Sequence, residues 1–300
     1  MNRWPGCLLV LSRRRVITAV PEAYLMNPDS AAPIGVFDSG VGGLSVLAQI
    51  HKQFPAENLL YVADQAHVPY GPRSLSEVQQ FSAAITRFLL AQNARLIVVA
   101  CNTASAAALN TLRRAFPDVV FVGMEPAVKP AARATKTGKV GVLATTGTFA
   151  SERYAALMTR FAHDVVVYED PCLGLVELIE AGEIDSPPVR ALLRQVVTPM
   201  LAAGVDTLVL GCTHYPFVLP TLRQIVGTAV SLIDPAPAVA RQVGRVLQAS
   251  PVPAESWGRV TLLTSGGRPF FRRRCSSCGG CGRGENGRLA DRSRRFAVAI

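Results

Sequence analysis

The sequence predicts an α/β protein built from two pseudo-symmetric, doubly wound domains. Three observations point there. Continuous apolar runs of four to six residues alternate with amphipathic stretches across residues 33–264. Such runs mark parallel strands covered on both faces by helices. The two halves also repeat one design. "IGVFDSGVGG" and "VGVLATTGT" each run a strand into a polar, Gly-containing turn, and each precedes a strand ending in Cys, in "LIVVACNTAS" and "LVLGCTHYP". Gly35 precedes Cys101 by 66 positions and Gly141 precedes Cys212 by 71, beyond a solenoid period of roughly 20 to 50. Finally, 300 residues with 49% apolar and 17% charged content suffice for a core and exclude general disorder.

Each element follows from its own run. Strand 33–37 ends before Asp38 and Ser39. Strand 58–63 ends before Asp64, with His67, Tyr70 and Gly71 in the loop beyond. A helical period covers 75–92, and strand 96–100 then delivers Cys101, Asn102, Thr103 and Ser105. Strand 119–122 closes the first half. Strand 140–143 opens the second half and runs into Thr145, Thr146 and Thr148. Strand 165–168 and a helix over 188–203 lead to strand 207–210, which delivers Cys212, Thr213, His214 and Tyr215. Strand 260–263 is the last.

The ends differ from this pattern. Residues 1–25 have weak periodicity, and Met26 is the expected true start. Residues 268–300 are rich in Arg, Gly, Ser and Cys, and read as a disordered tail or a changed frame. The formal charge of +10 resides in these ends: +3 in residues 1–25, +7 in 268–300, and zero between. A nucleic-acid partner is therefore not expected of the globular part. Cys275, Cys278 and Cys281 lack the fourth ligand that an iron–sulfur or zinc site wants, so no metal is expected. No apolar run approaches the roughly 18 residues of a membrane helix. The run at 7–11 is too short for a secretory signal, and seven Cys without framework spacing suit a reduced compartment. The chain is thus expected to be cytoplasmic.

In a doubly wound sheet, ligands bind beyond the carboxyl ends of the strands. A lone Cys there is usually a small buried hydrophobe. Two Cys at equivalent strand ends, each followed by hydroxyl and amide groups at an expected helix start, make a stronger signal. A helix N-terminus binds carboxylates and lowers a thiol pKa from about 8.5 toward neutrality. Two thiols on opposite sides of a small substrate form an acid–base pair. One takes a proton from a carbon and the other returns one to the opposite face, inverting that carbon. Other thiol chemistries fit less well. "DSGVGG" is neither a dinucleotide fingerprint nor a Walker loop. C-x-x-C is absent outside the tail, and none of the four Lys lies at a predicted strand end to hold pyridoxal phosphate.

Taken together, "GVFDSGVGGLSVL", "DQAHVPYGPRS", "ACNTASAAAL" and "GCTHYPFVLP" resemble the glutamate racemase family, with "GTFAS", "LIDPA" and "TSG" as weaker landmarks. The similarity spans residues 33–267. It implies a cofactor-independent isomerase that supplies D-glutamate for peptidoglycan, with Cys101 and Cys212 as the two bases. The first cysteine then serves the D-isomer and the second the L-isomer. By the same resemblance Asp38 and His214 assist the two thiols, and Glu180, with Glu177 as the alternative, is the assisting acid. Asp38, Ser39, Tyr70, Gly71, Asn102, Thr103, Thr213 and His214 match substrate-binding positions, while Cys172 reads as structural. The resemblance implies a site in the cleft between a first domain of 33–125 plus 235–267 and a second of 126–234, in a homodimer. The family's helix after "TSG" is replaced here by the Arg/Cys-rich stretch. The alternative is an aspartate racemase or another two-cysteine racemase.

Overall fold

The described residues hold two fully parallel sheets in a computed structural model covering residues 32–247 and 257–266. Met26, residues 1–31, the tail beyond 266 and its cysteines lie outside the described residues. The first sheet is built from β1 (Ile34–Asp38), β2 (Leu59–Ala63), β3 (Leu96–Val99), β4 (Phe121–Val122) and β9 (Val260–Thr264), in the order β4-β3-β1-β2-β9. The second holds β5 (Lys139–Leu143), β6 (Val166–Asp170), β7 (Thr207–Leu210) and β8 (Ser231–Ile233), in the order β6-β5-β7-β8. Every strand pairing is parallel. Strand β8 was not among the sequence candidates: it has three residues, begins with Ser and is partly exposed. The candidate at 119–122 contracts to two residues.

Alternation along each strand divides its side chains between two helical layers. Ile34 and Val36 of β1 pack with Val46 and Ile50 of α1 (Leu44–Gln53) and Val239 and Val243 of α10 (Ala236–Leu247). Phe37 and its neighbours Val62 and Val99 face α2 (Leu75–Ala91) and α3 (Asn102–Ala115) through Leu89 and Leu109. In the second sheet Val140, Val142 and Val209 face α4 (Val128–Ala134) and α6 (Glu152–Phe161). Leu143, Leu208 and Leu210 face α7 (Leu175–Glu180), α8 (Pro187–Ala202) and α9 (Leu219–Val226). A short helix, α5 (Thr146–Phe149), follows β5.

The two sheets share a topology. Strands β1, β2, β3 and β4 correspond to β5, β6, β7 and β8, and β9 extends the first sheet alone. Gly35 and Gly141 occupy equivalent places. A Cβ on Gly35 would lie 3.1 Å from Leu89 of α2, and one on Gly141 2.9 Å from Met200 of α8. Each glycine lets a helix lie close on its sheet. In each sheet the chain reverses direction between the first and third strands, at β1/β3 and at β5/β7. Those switch points are where a doubly wound sheet binds ligands.

Candidate active site

Cys101 follows β3 at one switch point, and Cys212 follows β7 at the other. Both thiols line one cavity of about 110 Å³ between the two sheets. The first domain contributes Ser39, Tyr70, Gly71, Asn102 and Thr103 to its wall, and the second contributes Thr213 and His214. Cys101 and Cys212 are 4% and 6% exposed, so the cavity floor is nearly closed to bulk water.

The cysteines are set differently. Cys101 is the N-cap of α3, and its sulfur accepts the Ala104 N–H at 3.4 Å. Cys212 instead lies two residues before His214, the N-cap of a 3₁₀ helix, Tyr215–Val218, that runs into α9, so it is not itself the capping residue. The expected fall in thiol pKa is also not found at Cys101. Burial, reinforced by the neighbouring Asp38, pushes that thiol well above its ordinary value, and the Ala104 N–H does not offset this. The charged form loses more by leaving water than one helix N-terminus restores. The Cys212 sulfur lies 3.7 Å from His214 Nδ1.

Asp38 and Glu180 sit behind the cavity wall. Asp38, at the end of β1, is fully buried. Its carboxylate accepts the Gly40 N–H at 2.7 Å and the Thr213 hydroxyl at 2.9 Å, the latter from the other domain. Burial raises its pKa from 3.8 to about 6, against the opposing pull of His214. Glu180 ends α7, and its Oε1 accepts His214 Nε2–H at 2.5 Å and the Val41 N–H at 2.8 Å. Its Oε2 accepts the Gln65 amide at 3.0 Å. Burial works against the charge on Glu180, but these hydrogen bonds outweigh it and hold the carboxyl below its usual range. Burial likewise opposes charge on His214, yet Cys212 and Glu180 prevail and raise its pKa well above 6.5.

This arrangement explains the "DSGVGG" loop. A Cβ on Gly40 would lie 2.0 Å from Glu180 Oε1, and one on Gly42 2.4 Å from His214 Nδ1. The glycines admit side chains of the opposite domain. Tyr61 closes the loop from below by donating to the Gly40 carbonyl at 2.6 Å.

Sequence reasoning placed Thr145 only at a strand end. The structure adds it to the cavity wall, where its hydroxyl pairs with that of Thr103 at 2.7 Å. It also brings Cys172 and Glu177 to the wall, whereas Glu180 acts from behind His214. Gln65 and Tyr61 were missed as well. A buried strand tyrosine needs a hydroxyl partner, and that was the one available signal for Tyr61. Asn102 is 3% exposed, and neither polar atom of its amide has a hydrogen-bond partner among the described residues. A buried amide is normally paired, and one left open beside two thiols marks a place for a polar ligand.

The sequence pattern of the Asp/Glu/Hydantoin racemase family matches residues 34–243. The chain belongs to this racemase family. Among its relatives, the glutamate racemase of Pseudomonas syringae pv. tomato is 52% identical over 250 residues, covering 83% of this chain and 91% of that one. The glutamate racemase of Pseudomonas aeruginosa strain PAO1 is 57% identical over 224 residues, or 75% and 84% of the two chains. Among solved racemases, Escherichia coli glutamate racemase, crystallised with L-glutamate and the activator UDP-MurNAc-ala, superimposes with a TM-score of 0.74 at 34% identity. That match covers 83% of this chain and 95% of the other. A glutamate racemase isoform from Bacillus anthracis gives 0.73 at 34% identity over 84% and 95%. This racemase therefore has the two-domain α/β fold of its relatives. Among its described residues no helix is long and apolar enough to cross a membrane.

Proposed function

We propose that the protein racemises glutamate without a cofactor, by passing protons between substrate and the thiols Cys101 and Cys212. The observation that carries this reading is the common cavity: two buried thiols, one from each sheet, with the unpartnered Asn102 amide between the domains. Glutamate is the substrate named for the most similar relatives, and one solved relative holds L-glutamate.

In this reading the L-isomer loses its α-proton to Cys212, which His214 and Glu180 keep oriented. The C–H electron pair stays on the α-carbon. Cys101, held as the neutral thiol by burial, delivers its proton to the opposite face. The new C–H bond completes inversion and leaves Cys101 as the thiolate and Cys212 as the thiol. The D-isomer runs the same steps backward. An amino-acid α-hydrogen is far less acidic than a thiol, so preorganised donors must stabilise the developing charge. Ser39, Asn102, Thr103 and Thr213 supply such donors around the cavity. The charge of Asp38 opposes ionisation of the first thiol and so makes its thiolate a stronger base toward the D-isomer. The product serves peptidoglycan synthesis in this reading, and the enzyme works as a cytoplasmic homodimer. The domain division at 33–125 plus 235–267 and 126–234 belongs to the same proposal, supported by the return of α10 and β9 to the first sheet.

The test is incubation with L-glutamate in D2O without pyridoxal phosphate, following circular dichroism and α-proton loss by NMR. Decay of the signal to zero with deuterium at the α-carbon is expected. Cys101→Ala and Cys212→Ala each lower racemisation by about 10³-fold or more, the scale of a lost positioned acid or base. Either variant racemising at the parent rate overturns the two-thiol mechanism. Inversion of aspartate in preference to glutamate overturns the substrate.

A further inference from the structure

Residues at the end of β9 reach the active-site loop although none lines the cavity. Ser265 follows the last residue of β9, on the edge of the first sheet. Its backbone N–H donates to the Ala63 carbonyl at 3.0 Å, which sets it beside the loop after β2. Its hydroxyl donates to Asp64 Oδ1 at 2.5 Å and accepts the Ala66 N–H at 3.1 Å. Asp64 is 3% exposed. Its second oxygen accepts the Tyr70 hydroxyl at 2.6 Å, and His67 Nδ1 lies 2.9 Å from both oxygens. Tyr70 itself is 1% exposed and lines the cavity beside Cys101. The phenol donates to Asp64, so Asp64 anchors the polar end of a ring that lines the wall and packs on Phe81.

We propose that Ser265 is a positioning residue for substrate binding, acting through Asp64 on Tyr70 and the loop that carries Gly71. Asp64 has two oxygens and three side-chain neighbours that orient it: Ser265, His67 and Tyr70. His67, stacked on Phe81 at 3.9 Å, tethers Asp64 from within its own loop. Ser265 is the tether fixed by sheet pairing, because β9 is in register with β2 up to Ala63 and Thr264. Removing its hydroxyl leaves Asp64 Oδ1 to His67 alone and takes the side-chain partner from the Ala66 N–H. The carboxylate can then turn, and Tyr70 follows. The thiols and their partners Asp38 and His214 have no bond to Ser265, so the chemical step is left intact. A cavity wall that is no longer held binds substrate less well.

The proposal rests on the glutamate racemase reading for its kinetic test but not for its second test. With glutamate, Ser265→Ala is expected to raise KM about 5- to 10-fold while kcat stays within about 2-fold, and Ser265→Thr, which keeps the hydroxyl, restores KM. In the background of Tyr70→Phe, where Asp64 no longer holds the wall, Ser265→Ala adds less than about 2-fold. An unchanged KM, an equal fall in kcat, or full additivity with Tyr70→Phe overturns the proposal. The second readout needs no substrate: the rate at which iodoacetamide alkylates Cys101 in the full-length protein. Ser265→Ala is expected to speed this several-fold and Ser265→Thr to leave it unchanged. Equal rates in all three proteins overturn the proposal even if the parent shows no activity on glutamate. Absence of glutamate racemisation in the parent alone sinks the functional reading instead, and alkylation then decides the role of Ser265.

Discussion

Glu180 accepts a 2.5 Å hydrogen bond from His214, and the same carboxylate oxygen takes the Val41 N–H from the opposite domain at 2.8 Å. One buried oxygen therefore charges the imidazole beside Cys212 and ties the domains together. Glu180→Gln keeps the shape but removes the charge. The raised pKa of His214 owes part of its rise to Glu180, so in the variant the imidazolium is lost at lower pH. The alkaline limb of the pH profile for kcat/KM with L-glutamate should move to lower pH, and the maximum should fall about 10²-fold. A profile with an unmoved alkaline limb rules out Glu180 as the partner that charges His214.

Asp38 gives the second prediction, on stability. Its pKa is about 6 in the folded protein against 3.8 ordinarily, so between these values the folded state binds the extra proton. Stability from this group is present below about pH 4 and is lost as pH rises through about 6, by about 3 kcal/mol in total. Asp38→Asn keeps an acceptor for the Gly40 N–H, turns an amide donor toward the Thr213 hydroxyl that Asp38 accepts from, and cannot ionise. Denaturant unfolding from pH 4 to 8 should show that decline in the parent and its reduction in the variant. Racemisation falls in the same variant. A decline of equal size in both proteins would falsify the assignment.

Gly42 gives the third. A Cβ there meets His214 Nδ1 at 2.4 Å and Thr213 Oγ1 at 2.5 Å, so Gly42→Ala forces the domains apart at the site. Activity should fall by at least about 10²-fold, because misplacement by about 1 Å carries that cost. Gly227 is the control. Its φ is +73° with nothing among the described residues within 4 Å of a Cβ, so Gly227→Ala should cost about 1 to 3 kcal/mol in stability and leave kcat unchanged. Equal kinetics in the two variants would show that the loop tolerates the methyl group.

Asn102 gives the fourth. Its amide has no partner among the described residues although the residue is buried. Asn102→Ala therefore removes a group that contributes nothing to the free protein through protein hydrogen bonds. Melting temperature should hold or rise, while KM for glutamate rises by about 10-fold or more, as for the loss of one buried hydrogen bond of about 1 to 3 kcal/mol. Unchanged KM excludes Asn102 from the substrate site.

Much of the fold was legible because its signals are local. The alternation that makes Ile34 and Val36 face one layer and Phe37 the other is written into consecutive residues. Elements with weak local signals were lost or shortened. Strand β8 is three residues with an exposed Ser231, and β4 keeps only Phe121 and Val122. The site divided the same way. Residues directly after strands, from Asp38 to His214, were legible in the motifs. Gln65 and Tyr61 were not, since a polar residue in a loop and an aromatic in a strand carry no mark of the partner they will meet.

By itself, then, the sequence determined the strand–helix order, the two similar halves and the delivery of Cys101 and Cys212 to strand ends. These follow from periodicity and chain order within short windows. Packing of the whole chain brings the two strand ends to one cavity, Glu180 behind His214, and Ser265 to Asp64 across 201 positions. It also decided the sense of the Cys101 shift. A helix N-terminus is visible in sequence and predicts a lowered pKa, but burial opposes it and wins. Burial is a sum over atoms brought in from both domains, and no local stretch of chain contains it.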